Sequence, residues 1–249
     1  VEKNRDNFHI NEVYLQSKFL QEHDYYVIRH IVKVLGEGFG FYFKGKSSSD
    51  SVGLEKDFKQ ITQLDIILQV MKDTALPMTK PEIAALLKSN SIQHADFLID
   101  GLMNQQKVVR VDRYLYTTYE IAFKNVDLEN YTDAIHDIIS NETRLIHPSI
   151  FQKKLNEKFN QSFSSHLYLA IAKVHCAQNN WYRSGMLFSF HESNYKDLSD
   201  AVRTHCDSKA DMSTNFKNLS KYIAITSEAG HIAISNWQSA LTTYSKFSV

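Results

Sequence analysis

The stretch from Thr79 to Thr118, TKPEIAALLKSNSIQHADFLIDGLMNQQKVVRVDRYLYTT, most constrains what this chain can fold into, because its hydrophobic period changes part-way along. Thr79 and Glu82 have the spacing of a capping box, and Pro81 stands in a first turn, where its missing N–H costs nothing. Ile83, Ala84, Leu86 and Leu87 follow at helical spacing, and Ser89-Asn90-Ser91 breaks that helix. Ile92, Ala95, Phe97, Leu98, Ile99 and Leu102 form a second apolar stripe, ending in Asn104-Gln105-Gln106. The period then drops to two at Val109, Val111 and Leu115, with Asp112-Arg113 as the expected turn of a hairpin. An amphipathic segment over Gln60 to Lys72 precedes all of this. The expected order is helix, helix, turn, longer helix, hairpin.

The rest of the chain reads as variations on that unit. Residues 1–53 form a partial unit and linker. A helical pattern over Asn11 to Gln21 leads to a second from Asp24, carrying Val27, Ile28, Ile31, Val34 and Leu35. Gly36-Glu37-Gly38 stops it, Phe39 to Phe43 reads as a strand, and the Ser-rich Lys44 to Gly53 reads as a linker. Residues 54–127 hold the unit described above. In residues 128–193, Tyr131, Ala134, Ile135, Ile138 and Ile139 mark a first helix, and His147-Pro148-Ser149 opens a second. Ser164-Ser165 caps a third, with Leu167, Leu169, Ala170, Ile171 and Val174 facing inward. Trp181 to Arg183 and Met186 to Phe190 pair across Ser184-Gly185. Residues 194–249 show three helical patterns, the last through Trp237 and Leu241, and a hairpin expected to begin at Tyr244. Tyr42, Tyr116, Phe188 and Phe247, taken as equivalent strand aromatics, recur at intervals of roughly 60–75 residues. The fold class expected is mainly α with short β-hairpins, in a tandem array.

The segment Thr79–Thr118 resembles the winged helix-turn-helix superfamily, closest to HARE-type domains and to the sigma region-4-like repeats of bacterial DNA-associated proteins. The TKPEIAALL helix, the IQHADFLIDGLM helix and the VVRVDRYLY hairpin carry the likeness. It covers the second unit well, the third in part and the outer two weakly. The resemblance implies winged-helix domains in series, in contact with double-stranded DNA through the third helix and the wing of a unit.

Composition tempers that implication. Lys plus Arg and Asp plus Glu both number 28, so no whole-molecule field draws in nucleic acid or an anionic membrane. Counted by unit, Lys plus Arg never departs from Asp plus Glu by more than one. Segregation of charge to one side is therefore what DNA contact requires. On the surfaces expected to face a duplex, the first unit offers Arg29 and Lys33, with Tyr26, His30, Lys44 and Lys46 around them. The second offers Arg110 and Arg113 on its hairpin, but its third helix carries Asp96 and Asp100, which repel phosphate. The third offers Lys153 and Lys154 on its second helix, then Ser165, His166, Tyr168 and Lys173, and Arg183 on the hairpin. Serine and histidine can reach base edges there while the lysines hold phosphates.

Other chemistry finds no footing. Gly36-Glu37-Gly38-Phe39-Gly40 follows a helix and precedes a strand, the reverse of a phosphate-binding loop. His175-Cys176 and His205-Cys206 are adjacent pairs that point apart on a helix, and His23 and His30 lie seven apart, so no metal and no other cofactor is expected. No Ser/His/Asp constellation or carboxylate pair can be placed, and no enzyme is expected. Two cysteines without a redox spacing fit a cytoplasmic compartment, and no apolar run approaches a membrane span. Val1 in place of Met is expected of a fragment or a processed chain. The functional expectation is a non-enzymatic DNA-binding or DNA-targeting protein, in transcription regulation or in DNA processing or defence. The alternative is a protein-interaction scaffold of winged-helix domains in a larger assembly, with Tyr25, Tyr114 and Trp181 as its exposed aromatics.

Overall fold

The computed structural model describes residues 7–10, 14, 17–45, 50–58, 62–88 and 95–246. It is mainly helical, with a few short strand pairs, and it divides into two compact units, residues 1–122 and 123–249. The expected break at Ser89-Asn90-Ser91, the residues Ile92, Gln93 and His94, and Lys46, Ile61 and Phe247 lie outside the described residues, as do residues 11–13, 15 and 16 of the helix expected over Asn11 to Gln21.

In the first unit, β1 (Asn7–His9) is followed by the short α1 (Lys18–Gln21), then α2 (Tyr25–Leu35), β2 (Tyr42–Lys44) and β3 (Ser51–Gly53). Asp24 caps α2 by accepting the amide of Tyr26 at 2.8 Å. A 3-10 turn over Gly36–Phe39 ends at Gly40, whose φ is +79°, so the strand expected from Phe39 begins only at Tyr42. The sheet order is β1-β3-β2, both pairs antiparallel. Ser51–Gly53 is thus a buried central strand, where the sequence reads as linker. Its polarity misleads because the buried Asp50 beside it is matched by Arg29 and Tyr25, far away in the sequence.

The rest of that unit runs α3 (Gln63–Thr74), α4 (Lys80–Lys88), α5 (Ala95–Asn104), β4 (Val108–Asp112), β5 (Leu115–Thr118) and the single turn α6 (Tyr119–Ala122). The capping box at α4 is formed: the amide of Thr79 donates to Glu82 Oε2 at 2.7 Å and the amide of Glu82 to Thr79 Oγ1 at 3.4 Å. A second box, Thr62 with Asp65, opens α3. Ile67, Met71, Ile83, Leu87, Ile99, Leu102 and Val108 close over one core. Asp112 pairs with Leu115, so the hairpin turns at Arg113-Tyr114, one residue beyond the expected Asp112-Arg113. Met78 bridges to Tyr116 on β5, adding a vestigial third strand.

The second unit begins with α7 (Leu128–Ser140), β6 (Leu145–Ile146), α8 (Pro148–Phe159), α9 (Ser165–His175), β7 (Tyr182–Ser184) and β8 (Leu187–Ser189). It continues through α10 (Leu198–His205), α11 (Met212–Leu219), β9 (Ile223–Ala224) and α12 (Ser227–Lys246). One sheet, β7-β8-β6-β9, joins its two halves: β6 is antiparallel to β8 and parallel to β9. Leu145 and Leu187 pack with Ala201, Val202, Leu219, Ile223 and Ile234. Ile223–Ala224 is strand, and α12 continues unbroken through Tyr244 to Lys246, where a hairpin was expected to start. No proline interrupts α12 to stop it earlier.

Three modules therefore repeat one connectivity: short strand or bridge, helix, helix, hairpin, with the second hairpin strand central. The equivalent central pairs are Phe8 with Val52, Met78 with Tyr116 and Ile146 with Phe188. The first-module counterpart of Tyr116 is consequently Val52 rather than Tyr42, which lies on the outer strand. At the third hairpin the turn falls at Gly185-Met186, since Ser184 pairs with Leu187. Gly185 has φ +61°, and a Cβ there would lie 2.9 Å from that of Asp197. Gly185→Ala is expected to lower the stability of this unit by about 1–2 kcal/mol, read as a shift of its urea midpoint without a change in slope.

Candidate nucleic-acid interface

The expected contact residues fare differently in each module. In the first, Arg29 is turned inward. Its Nη2 donates to Asp50 Oδ1 at 3.1 Å and its Nε to Asp50 Oδ2, and Asp50 is fully buried. Tyr25 adds a bond from its hydroxyl to the same carboxylate at 3.3 Å, and burial together with that charge pushes its phenol up to about 12. Arg29 is thereby withdrawn from any phosphate surface: an internal carboxylate already occupies its fork. Lys33 stays exposed, its ammonium 5.7 Å from the Phe43 ring centroid.

In the second module, Arg110 folds back on its own hairpin, donating through Nε to the carbonyl of Asp112 at 3.1 Å and through Nη2 to that of Arg113. It braces the turn. Arg113 is exposed and lies over the Tyr114 ring at 5.2 Å. The third helix of this module, α5, presents Asp96, Asp100 and a 79% exposed Phe97. Asp100 is paired with Lys80 at 2.7 Å. Of the aromatics expected to face a protein partner, Tyr114 is exposed, Tyr25 is half-buried on Asp50, and Trp181 is buried. Trp181 is held by a bond from its Nε1 to His136 Nδ1 at 3.3 Å.

In the third module Lys173 and Arg183 lie near one another. Lys153 and Lys154 are exposed on α8, with Lys158 one turn after Lys154. Arg183 is exposed on β7 beside Tyr182, itself 51% exposed. Ser165 and His166 are half-buried in the first turn of α9, and Lys173 is half-buried near its end. Burial first, and then the nearby Arg183 guanidinium, hold the Lys173 ammonium below its ordinary range. Two cations so placed favour an anion between them. Ser164 makes no side-chain cap bond to α9, an eleven-residue helix whose N-terminal dipole also favours negative charge.

Tyr168 does not belong to this surface. It is fully buried, its ring tilted against Tyr131 and Phe163, and its hydroxyl donates to Asn156 Oδ1 at 2.7 Å. Leu169, Ala170 and Val174, expected inside, are half-exposed, while Leu167, Tyr168, Ile171 and Ala172 form the buried face. The helix is rotated by about one residue, 100°, from the expected phase.

What sequence reasoning missed is the distribution of charge among elements. Residues 127–142, essentially α7, hold Asp127, Glu129, Asp133, Asp137 and Glu142 and no Lys or Arg. Residues 145–190, from β6 to the hairpin, hold Lys153, Lys154, Lys158, Lys173 and Arg183 against Glu157 alone. A tally by element in place of by unit would have found it. Among the described residues no group of three or more His, Cys, Asp or Glu side chains could hold a metal ion, and no helix is long and apolar enough to cross a membrane. Comparison with protein-family models, with curated proteins and with solved structures finds no match to this chain.

Proposed function

We propose that the chain is a non-enzymatic DNA-binding or DNA-targeting protein of tandem winged-helix modules, with the third module as its principal contact to duplex DNA. The observation that carries this reading is the charge separation just described: acids on α7, cations on α8, α9 and the hairpin. Within a neutral chain, that separation supplies the local positive field that phosphate contact requires. The recurring strand, helix, helix, hairpin order supports the winged-helix reading, in which α9 enters a groove and Arg183 and Tyr182 meet the flanking backbone. Such a module serves a transcriptional regulator or a DNA-processing or defence system equally well.

The second module favours a different partner. Asp96, Phe97 and Asp100 on α5 form a surface that repels phosphate and suits a basic, partly apolar protein surface. On this scaffold reading the two modules divide the work, one on DNA and one on protein.

Anisotropy of a labelled random duplex tests the DNA reading. Four phosphate contacts predict an affinity loss of about a hundredfold between 50 and 200 mM salt. Lys153→Glu/Lys154→Glu is expected to weaken low-salt binding by about tenfold or more and to flatten the salt slope. Binding that is absent at low salt, or indifferent to salt and to the double change, would sink it and leave the scaffold reading.

A further inference from the structure

The ladder of β6 and β8 pairs Ile146 with Phe188, which brings His147 and Met186 to one end of it. There Nε2 of the buried His147 lies 3.1 Å from Sδ of Met186. The other ring nitrogen, Nδ1, lies 2.9 Å from Ser149 Oγ, and that hydroxyl is fixed by the amide of Thr226 at 3.1 Å. Capping of α8 uses Nδ1 alone, so it gives no reason for a thioether to face Nε2. Burial keeps the imidazole neutral at pH 7, the form that binds metals. His166, in the first turn of α9, is near enough for its charge to act on His147. Met186 is half-buried in the hairpin turn, so the pair lies just beneath the surface.

We propose that His147 Nε2, Met186 Sδ and His166 form a site for a soft monovalent metal ion, Cu(I), at the base of the third hairpin. The donor set selects the ion. A thioether prefers Cu(I) to magnesium, calcium or manganese, which take oxygen ligands, and imidazole suits copper as well. Two imidazoles and a thioether carry no charge, so a monovalent ion leaves one charge in this half-buried place where zinc would leave two. A group drawn from His, Cys, Asp and Glu alone does not arise here, because one of the three donors is methionine. On binding, the ion takes the place of the Nε2 proton. That proton is carried instead on Nδ1 and donated to Ser149 Oγ, so none is lost from the site. The amide of Ser149 gives up its 3.2 Å bond to Nδ1 in exchange. Ser149, anchored by Thr226, then orients the ligand as the outer partner of a metal-bound imidazole does. An ion between nitrogen and sulfur needs those atoms roughly half an ångström further apart, and the unbranched methionine side chain can withdraw that far.

Titration of the full chain with Ag(I), a redox-inert stand-in for Cu(I), is the test, followed by NMR of the ε-methyl groups of its five methionines. A Cys176→Ser/Cys206→Ser background removes the two thiols that compete for the ion. One methyl signal, assigned to Met186 by its absence from Met186→Leu, is expected to shift and to saturate at one equivalent. The expected dissociation constant is about 1 µM or below. Met186→Leu keeps the volume and removes the sulfur, and should weaken binding by about a hundredfold or more. His166→Gln should weaken it by about tenfold. An unchanged amide spectrum in both variants certifies the fold. A Met186 methyl unmoved by Ag(I), or an affinity indifferent to Met186→Leu or to His166→Gln, overturns the proposal. So does Zn(II) held at this site as tightly as Ag(I), which would remove the choice of a soft ion. None of these outcomes depends on whether the third module binds DNA.

Discussion

Asp50→Ala is expected to unfold the first module, at a cost of about 3–5 kcal/mol, because it leaves the Arg29 guanidinium and the Tyr25 hydroxyl facing an empty, buried position. The module offers little to absorb such a loss. Its sheet has three strands of three residues, and its main helix buries no side chain completely. A deficit of that size is comparable to the whole stability of a small domain. The backbone carbonyl of Asp50 also accepts the amide of Ile10 at 3.2 Å, so the residue ties the chain before α1 to the central strand. Asp50→Asn keeps the shape and loses the charge, and should fall between the wild type and the alanine variant. The readout is hydrogen exchange of the β2–β3 ladder, with α3 to β5 as internal reference. Full protection retained in Asp50→Ala would show the pair to be dispensable.

Acidification from pH 6.5 to about 4 is expected to remove roughly 3 kcal/mol of stability from the second unit through His147 alone. His147 is the N-cap of α8. Its Nδ1 accepts the amide of Ser149 at 3.2 Å and lies 2.9 Å from Ser149 Oγ, which in turn accepts the amide of Thr226 at 3.1 Å. With Nδ1 occupied as an acceptor, the proton sits on Nε2, which faces Met186 Sδ at 3.1 Å. Burial first, then the nearby His166, push the imidazole down from 6.5 to about 4. Between those values the unfolded chain binds more proton than the folded one, so stability falls as pH falls; below about 4 this residue contributes no further loss. His147→Asn keeps a capping side chain that cannot titrate and should flatten the profile over that window. Equal acid sensitivity in the two proteins would remove His147 as the cause.

The parts of this fold legible in the sequence are those whose determinants are local. The capping box of Thr79 and Glu82, the apolar stripes of α4 and α5, and the third hairpin all follow from residues within a few positions of one another. Where the reading failed, the deciding partner was distant. Asp50 looks like linker until Arg29 and Tyr25 are seen against it. Tyr168 turns inward in place of Leu169 because Tyr131 and Phe163 receive its ring and Asn156, from another helix, its hydroxyl. The stripe on α2 has the period of a core face, yet Val27, Ile31, Val34 and Leu35 are exposed. The site divides the same way. Lysines 153 and 154, Arg183 and the first turn of α9 follow from residue type and spacing, but the acids of α7 cancel them in any count that spans the module.

The short parallel pairing of β6 with β9 joins residues 145 and 146 to 223 and 224. Arg144 Nη1 reinforces it, donating to the carbonyl of Ser220 at 2.8 Å. During synthesis, α7, α8, α9 and the third hairpin emerge long before this last strand does. Until then the β6 edge is open and the amide of His147, later bonded to Ala224 at 2.9 Å, has no backbone acceptor there. So non-local a closure makes the nascent second unit wait for its C-terminal helices. Its window of exposure to misassociation on the ribosome is therefore set by translation rate rather than by any local folding rate.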